Sequence, residues 1–167
     1  RGLVAQRACT TGDVLLEVPL SLCIADGADD GSTPLTGGAP PWMWHLPWNV
    51  QLAVCVLQHR ADAASPWGAF LRSWPAEPPM LPKNLEPSEL AEAQDPRFEA
   101  DADGDYFWAE EQYFALCEAA EAAGRDGPPC TSAELRWALE MVWSRCLRLG
   151  CGGGYGVRRL LVPVLDL

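Results

Sequence analysis

The chain opens with Arg1-Gly2-Leu3-Val4-Ala5-Gln6-Arg7, and Val14-Leu15-Leu16-Glu17-Val18-Pro19 follows shortly afterwards. Each stretch contains an apolar run with residues that favour strands, and Thr10-Thr11-Gly12-Asp13 separates the two runs with residues typical of turns. The second run stops at its proline, because proline cannot donate to a β-ladder. We therefore predict that both runs are strands of a small antiparallel unit, with residues 22–24 as its third strand.

The composition is that of an acidic chain of one-domain size. It has 167 residues and a mass of 18.2 kDa, and 12 basic against 23 acidic side chains give a net charge of −11. This length is sufficient to bury one hydrophobic core. The acidic excess opposes binding to DNA or RNA and suits a basic partner such as a lysine-rich peptide. We expect a monomer with no nucleic-acid partner.

Neither a membrane anchor nor a secretion signal is expected. No run of roughly 18 apolar residues occurs, and no signal-peptide pattern opens the chain. The chain begins within one predicted strand and ends within another, at residues 162–167. We interpret it as a fragment of an intracellular protein, with cytoplasm, nucleus and plastid all left open as compartments.

The cysteines do not follow a metal-binding pattern. No Cys-x-x-Cys pair occurs, and His45 and His59 lack metal-ligand spacing from the cysteines. Most of the cysteines lie in apolar runs, which is typical of buried free thiols in a reducing compartment. We therefore expect no metal site. The seven cysteines are Cys9, Cys23, Cys55, Cys117, Cys130, Cys146 and Cys151.

Three tryptophans stand close together after a long loop. Residues 25–41 are rich in Gly, Asp, Ser, Thr and Pro, which predicts an exposed loop. Trp42, Trp44 and Trp48 follow it. Because exposed tryptophan is costly, we expect these side chains to pack the loop onto the next helix rather than to form a ligand platform.

Two helices are predicted next. Apolar residues at helical spacing indicate a helix at 49–60, with His59 on or beside its buried stripe. Ser65 as N-cap and Pro66 in the first helical position indicate a second helix, which ends at Pro75.

An acidic region follows. A short helix is predicted at 86–90, where acidic residues favour its start. Residues 101–105 are predicted to be a solvated loop rather than a calcium site, since the helix–loop–glutamate framework of an EF-hand is absent. A long helix is predicted from about residue 106 to 123.

The chain ends with a helix, a loop and a strand. Thr131 and Glu134 form a capping box that begins a helix running to about Leu149. The glycine-rich residues 150–156 predict a flexible loop, which is not a phosphate cradle because no helix follows it. Residues 161–167 predict the final strand.

Three motifs, in order, resemble the SET domain of the branch typified by the Rubisco large-subunit methyltransferase. Residues 2–19 are similar to its Gly-Leu-Val-Ala-x-Arg/Lys strand, Gly-Glu turn and Val-Leu-Leu-x-Val-Pro strand. The Trp137-Ala138 pair followed by Ser144-Arg145 resembles its Trp-Ala helix with a Ser-Arg pair. Residues 161–167 resemble its Leu-Val-Pro-x-x-Asp-Met/Leu strand. An Asn-His pair and a catalytic tyrosine follow in the family, beyond Leu167.

Two intermediate stretches, 67–75 and 86–90, also resemble this branch, although the family usually has leucine at Trp74 and an aromatic residue at Asn84. The resemblance implies an α+β fold: a SET domain, built as a β-clip of short strands, with an inserted helical segment and truncated before its C-terminal half. The implied parts are an N-terminal SET part at 1–41, a helical insert at 42–149 and the start of the second SET part at 150–167.

The resemblance further implies a protein-lysine N-methyltransferase that uses S-adenosyl-L-methionine as its cofactor. A neutral amine displaces the sulfonium methyl in line, so the enzyme must orient both partners and favour the neutral amine by desolvation. The implied partner is a lysine-bearing protein substrate, although some relatives methylate histidine. We expect these 167 residues alone to be inactive.

The resemblance assigns cofactor binding to Arg1, Arg7, Ser144, Arg145 and Asp166. Arg1 matches a residue whose backbone contacts the cofactor, and Arg7 and Arg145 match basic positions suited to its carboxylate. Ser144 matches a contact beside Arg145, and Asp166 opens the family's Asp-x-x-Asn-His stretch. Simpler roles remain open: a surface charge for Arg7, a helix-dipole partner for Arg145 and a turn cap for Asp166.

Two alternatives to the methyltransferase remain open. The chain could be a non-catalytic SET-like interaction module whose acidic, tryptophan-rich surface binds a basic protein partner. It could also be an unrelated α+β domain in which the motifs coincide by chance. The residues that follow Leu167 would separate the first alternative from the enzyme.

Overall fold

The computed structural model describes residues 5–26, 38–77, 81–151 and 156–163, and within them the chain has an α+β fold. The α+β class predicted from the sequence is therefore confirmed. No helix in these ranges is long and apolar enough to cross a membrane. The helices are α1 (Trp48–Ala61), α2 (Gly68–Arg72), α3 (Pro87–Ala91), α4 (Pro96–Ala122) and α5 (Ser132–Arg145), and the strands are β1 (Ile24–Ala25), β2 (Leu147–Cys151) and β3 (Gly156–Leu161).

The sheet joins the two ends of the described chain. Its strand order is β1-β3-β2, and both pairings are antiparallel. Ile24 lies opposite Leu161, and Leu147 lies opposite Leu160. The five α-helices of the described residues lie between β1 and β2 in the sequence, so the helical region is inserted between strands that meet in one sheet.

The two faces of this sheet pack against different clusters of buried residues. Ile24 and Leu161 are buried in the main core with the helices. Ala25 and Leu160, which point to the other face because side chains alternate along a strand, belong to a second small cluster. That cluster is completed by Cys23 and Val162, with Val18 and Leu20 packed against it.

Helices α1 and α5 form the centre of the main core by packing against each other. Residues 49–56 of α1 are buried on every side, so the helix is enclosed rather than amphipathic. The predicted stripe of α5 is confirmed, since Leu135, Ala138, Met141 and Val142 are all fully buried. Each large apolar side chain buried in this way contributes about 1.5–3 kcal/mol to stability.

Helix α4 corrects one prediction. Residues 101–105, predicted to be a solvated loop, lie inside this helix. The start signal was Asp95-Pro96: the Asp95 carboxylate accepts hydrogen bonds from the backbone N–H groups of Arg97 and Phe98, and Pro96 occupies the first turn. A well-capped start therefore carries the helix through an acidic stretch that looks like a loop.

The end of α5 corrects a second prediction. The helix ends at Arg145 rather than near Leu149, and Cys146 is already extended. Residues 147–151 form β2 instead, with five registered pairs to β3. Pairing with a neighbouring strand thus overrides the helical pattern. Both ends of the predicted loop at 150–156 also belong to strands, residues 150–151 to β2 and residue 156 to β3.

The N-terminal stretch corrects a third prediction. The turn is confirmed, with Asp13 N–H donating to the Thr10 carbonyl at 3.1 Å and Gly12 at a φ of +99°. However, residues 14–18 are not a strand, and Val14 and Leu15 are 78% and 75% exposed. Both sides of β3 are already paired with β1 and β2, so the described sheet offers this run no place beside β3.

Of three remaining local predictions, two are confirmed and one is displaced along the chain. Trp42, Trp44 and Trp48 pack against the main core, as expected. The short helix predicted at 86–90 is α3, and the structure adds a capping box between Glu86 and Glu89. The second helix starts later than predicted: Ser65 Oγ accepts a hydrogen bond from Trp67 N–H, but the helix itself begins at Gly68.

Candidate functional site

The Ser144–Arg145 pair occupies the last turn of α5, immediately before β2. Ser144 Oγ donates to the Met141 carbonyl at 3.0 Å, and Arg145 Nη1 donates to Ser144 Oγ at 2.5 Å. The hydroxyl therefore links the guanidinium to the backbone of the helix. This arrangement restrains the direction in which Arg145 presents its charge.

The indole ring of Trp74 backs this guanidinium. Arg145 Cζ lies 5.2 Å from the centre of the ring, within the range of a cation–π contact. Trp74 itself is buried and packs edge-on against Phe70 and at a tilt against Trp137. A half-buried guanidinium held on an aromatic surface is a suitable partner for a carboxylate, because it has lost part of its hydration.

Arg145 also has a structural role. It stands in the last turn of α5, where a cation complements the carbonyl end of the helix dipole. This role and the recognition of a carboxylate do not exclude each other. The contact with Ser144 is the feature that a dipole partner alone does not require.

Cys146 connects this turn to the sheet. The pKa of its thiol is raised to about 11, mainly by burial and also by the negative charge of Asp26, while Arg159 and the backbone of Leu160 oppose the shift. Leu147, the residue after Cys146, pairs with Leu160, which follows Arg159 in β3. The end of α5 and the charged part of the sheet are neighbouring regions.

A cavity of about 390 Å³ lies at that charged part of the sheet, and we refer to it as the Trp48 cavity. Asp26, directly after β1, and Arg159 on β3 form an ion pair in its wall, with Nη1 and Oδ2 3.4 Å apart. Its other wall is the segment that enters α1. The lining includes Asp26, Trp44, His45, Trp48, Gln51 and Arg159.

The Asp26 carboxyl is held in an environment that disfavours its charge. Burial raises its pKa above the ordinary value, although hydrogen bonds from the Arg159 backbone and side chain and the nearby Arg158 pull it down. Its side chain is only 9% exposed. Asp26 is therefore a partly desolvated group whose charge depends on its arginine neighbours.

The structure brings together only two of the predicted cofactor residues. Ser144 and Arg145 are in direct contact. Arg7 is exposed in the N-terminal stretch and forms no ion pair or ring contact within the described ranges, which fits the surface-charge alternative. Arg1 and Asp166 lie outside the described residues.

Sequence reasoning missed the Asp26–Arg159 pair. Asp26 was included in a predicted loop, and Arg159 precedes the segment predicted to be the final strand. A usable signal was present, because Arg158-Arg159 is a basic pair within an otherwise apolar end of an acidic chain. Two adjacent charges on a strand must point to opposite faces, so at least one must find a partner near the core.

The described part of the chain contains no group of three His, Cys, Asp or Glu side chains that could hold a metal ion. No protein-family model matches this chain, and no curated protein matches it. The function is therefore inferred from the motifs and from the geometry of the Ser144–Arg145 site.

Proposed function

We propose that this chain is part of an S-adenosylmethionine-dependent protein methyltransferase of the SET type, with lysine as the acceptor. Arg145 binds the carboxylate at the methionine end of the cofactor, and Ser144, whose hydroxyl proton goes to the Met141 carbonyl, holds the guanidinium in place. The observation that carries the proposal is the contact between these two side chains, at the positions where the resemblance expects them. When bound, the cofactor supplies an electrophilic methyl group on its sulfonium.

The donor set suits this ligand in one specific respect. A guanidinium carries N–H donors in a planar arrangement that matches a carboxylate, and the Arg145 guanidinium lies against Trp74 with Nη1 bonded to Ser144. Desolvation strengthens such a pair. Substitution by lysine keeps the charge but loses the planar arrangement of donors.

The order of elements also supports the proposal. β1 comes from the start of the chain and β3 from its end, and the helices α1 to α5 lie between them in sequence. A SET domain interrupted by a helical insert has this order. The acidic net charge of −11 suits a basic, lysine-bearing substrate.

The test is a thermal-shift measurement on the gene product that contains these residues, with and without S-adenosylhomocysteine. A ligand at about a hundred times its Kd stabilises the native state by about 2.7 kcal/mol, which corresponds to a rise in Tm of several degrees for a chain of this size. We expect Arg145→Ala to abolish the rise and Arg145→Lys to reduce it.

Arg97→Ala is the matched control, because Arg97 is an exposed arginine on α4. It should keep the full rise. The melting temperature of each variant without ligand separates loss of binding from loss of folding. Equal shifts for Arg145→Ala and Arg97→Ala would contradict the proposed site.

The interaction module is the second candidate, and the acidic charge is the observation in its favour. A folded gene product without any shift, which nevertheless binds a lysine-rich peptide by calorimetry, would exclude the methyltransferase and support this module. Methylation of that peptide would exclude the module instead.

A further inference from the structure

Three contacts restrain Arg159 in the wall of the Trp48 cavity. The backbone N–H of Arg159 donates to Asp26 Oδ1 at 3.2 Å, and Arg159 Nη1 donates to Asp26 Oδ2 at 3.4 Å. The guanidinium carbon lies 4.6 Å from the centre of the Trp48 ring. An arginine restrained in this way loses little conformational entropy when it binds a ligand.

The rest of this guanidinium is available to a ligand. The Arg159 side chain is 34% exposed, and neither Nε nor Nη2 donates a hydrogen bond to any part of the chain that the structure describes. Two free donors on the same fork are the arrangement that binds a carboxylate.

Asp26 supplies the opposite charge beside this fork. Each oxygen of an ionised carboxylate can accept more than one hydrogen bond, and each Asp26 oxygen is used once within the described residues. Because the pair is neutral as a whole, a ligand with a single charge meets one favourable and one unfavourable group. A ligand that carries both charges close together meets two favourable ones.

The remaining walls are aromatic. Trp44 and Trp48 line the cavity and are only partly buried. The segment between them is held in place by Gln51, whose Nε2 donates to the carbonyls of Leu46 at 2.8 Å and Trp44 at 3.2 Å. The cavity volume of about 390 Å³ is at the lower end of the range for small-molecule sites.

We propose that the Trp48 cavity binds an α-amino-acid zwitterion with an apolar or aromatic side chain. Its carboxylate pairs with Nε and Nη2 of Arg159, its ammonium pairs with Asp26, and its side chain packs on Trp44 and Trp48. The site is separate from the Ser144–Arg145 pair and does not depend on the methyltransferase proposal.

The experiment is calorimetric titration with L-phenylalanine and two matched analogues. 3-Phenylpropionate lacks the ammonium group and phenethylamine lacks the carboxylate, while both keep the ring. We expect L-phenylalanine to bind at least about tenfold more tightly than either analogue. Equal affinity for L-phenylalanine and one analogue, or no binding of L-phenylalanine to the folded protein, would overturn the proposal.

Two substitutions test which charge of the ligand each residue of the cavity binds. Asp26→Asn should weaken L-phenylalanine and leave 3-phenylpropionate unaffected or tighter, and Arg159→Gln should weaken L-phenylalanine and leave phenethylamine unaffected or tighter. Arg97→Ala should leave all three affinities unchanged. Unchanged affinity for L-phenylalanine in both Asp26→Asn and Arg159→Gln would also overturn the proposal.

A measurement on the unaltered protein covers the case in which these variants do not fold. L-Phenylalanine should shift the indole N–H resonances of Trp44 and Trp48 in the NMR spectrum. Trp74 and Trp137, which lie elsewhere in the helical core, serve as internal controls. Shifts confined to these two controls would place the ligand outside the cavity and contradict the inference.

Discussion

The ammonium nitrogen of Lys83 lies 3.8 Å from the centre of the Trp143 ring. Lys83 is the only lysine of the chain, and its side chain is 3% exposed. Its Nζ is also 3.8 Å from Oε1 of Glu140, which is equally buried on α5. Burial lowers the pKa of Lys83 and raises that of Glu140, so each charge depends on the other for its stability in the core.

Replacing one partner of this pair should be costly. Lys83→Met leaves the Glu140 carboxylate buried without its cation, and removal of one member of a buried ion pair costs about 3–5 kcal/mol. The double variant Lys83→Met with Glu140→Leu should recover most of that loss, since apolar residues can replace such a pair with little change in stability. Urea unfolding of the two single variants and the double variant measures these free energies.

The cycle also tests whether the two residues interact. We expect an interaction free energy well above about 0.5 kcal/mol, the deviation from additivity that independent sites typically show. Additive losses in the double variant would show that Lys83 and Glu140 contribute separately.

The helices could be predicted where local signals agree with packing. The capping box of Thr131 and Glu134 begins α5 in the structure, and Thr131 N–H donates to Glu134 Oε2 at 2.8 Å. The start of α1 and the half-buried position of His59 were also correct. The capping-box hydrogen bonds join residues three positions apart, and His59 contacts Ser65 and Trp67, six and eight positions further on.

Two of the failures occur where distant residues decide the structure. Residues 14–18 have the composition of a strand, but a strand needs a neighbour, and β3 is paired on both sides. Residues 147–149 continue a helical pattern, yet their pairing with β3 makes them a strand. Neither outcome depends on local composition.

The two candidate sites differ in the same way, because one is formed by neighbours in the sequence and the other by distant residues. Ser144 and Arg145 are adjacent in sequence, so a motif could find them. Asp26 and Arg159 are 133 positions apart and meet only because β1 pairs with β3. Their pairing could not be predicted without the sheet topology.

The capping box of α5 should make the stability of the protein depend on pH. The backbone and hydroxyl hydrogen bonds from Thr131 lower the pKa of Glu134 below its ordinary value of 4.5. The ionised form is therefore favoured in the folded state, and its stabilising effect is present above pH 4.5 and is lost as the pH falls through the folded-state pKa. Glu134→Gln should be slightly less stable than the parent at neutral pH and equal to it in strong acid.

Urea unfolding at several pH values measures this effect. Because Glu134 is exposed, we expect a difference of less than about 1 kcal/mol at neutral pH. Glu111→Gln, at an exposed glutamate on α4, is the matched control for removal of one surface carboxylate. A constant difference between Glu134→Gln and the parent at every pH would show that the charge of Glu134 is irrelevant.

Cysteine reactivity tests the position of α1 in the core. Cys55 is 2% exposed and burial raises the pKa of its thiol to about 12, whereas Cys9 is exposed in the N-terminal stretch. Since the thiolate is the reactive form, iodoacetamide at about pH 8 should modify Cys9 rapidly and Cys55 only as the protein unfolds. Tandem mass spectrometry at successive times locates each modification, and a sample in concentrated guanidinium shows that both thiols can react. Equal rates for Cys9 and Cys55 without denaturant would mean that α1 is not enclosed by the helices and sheet around it.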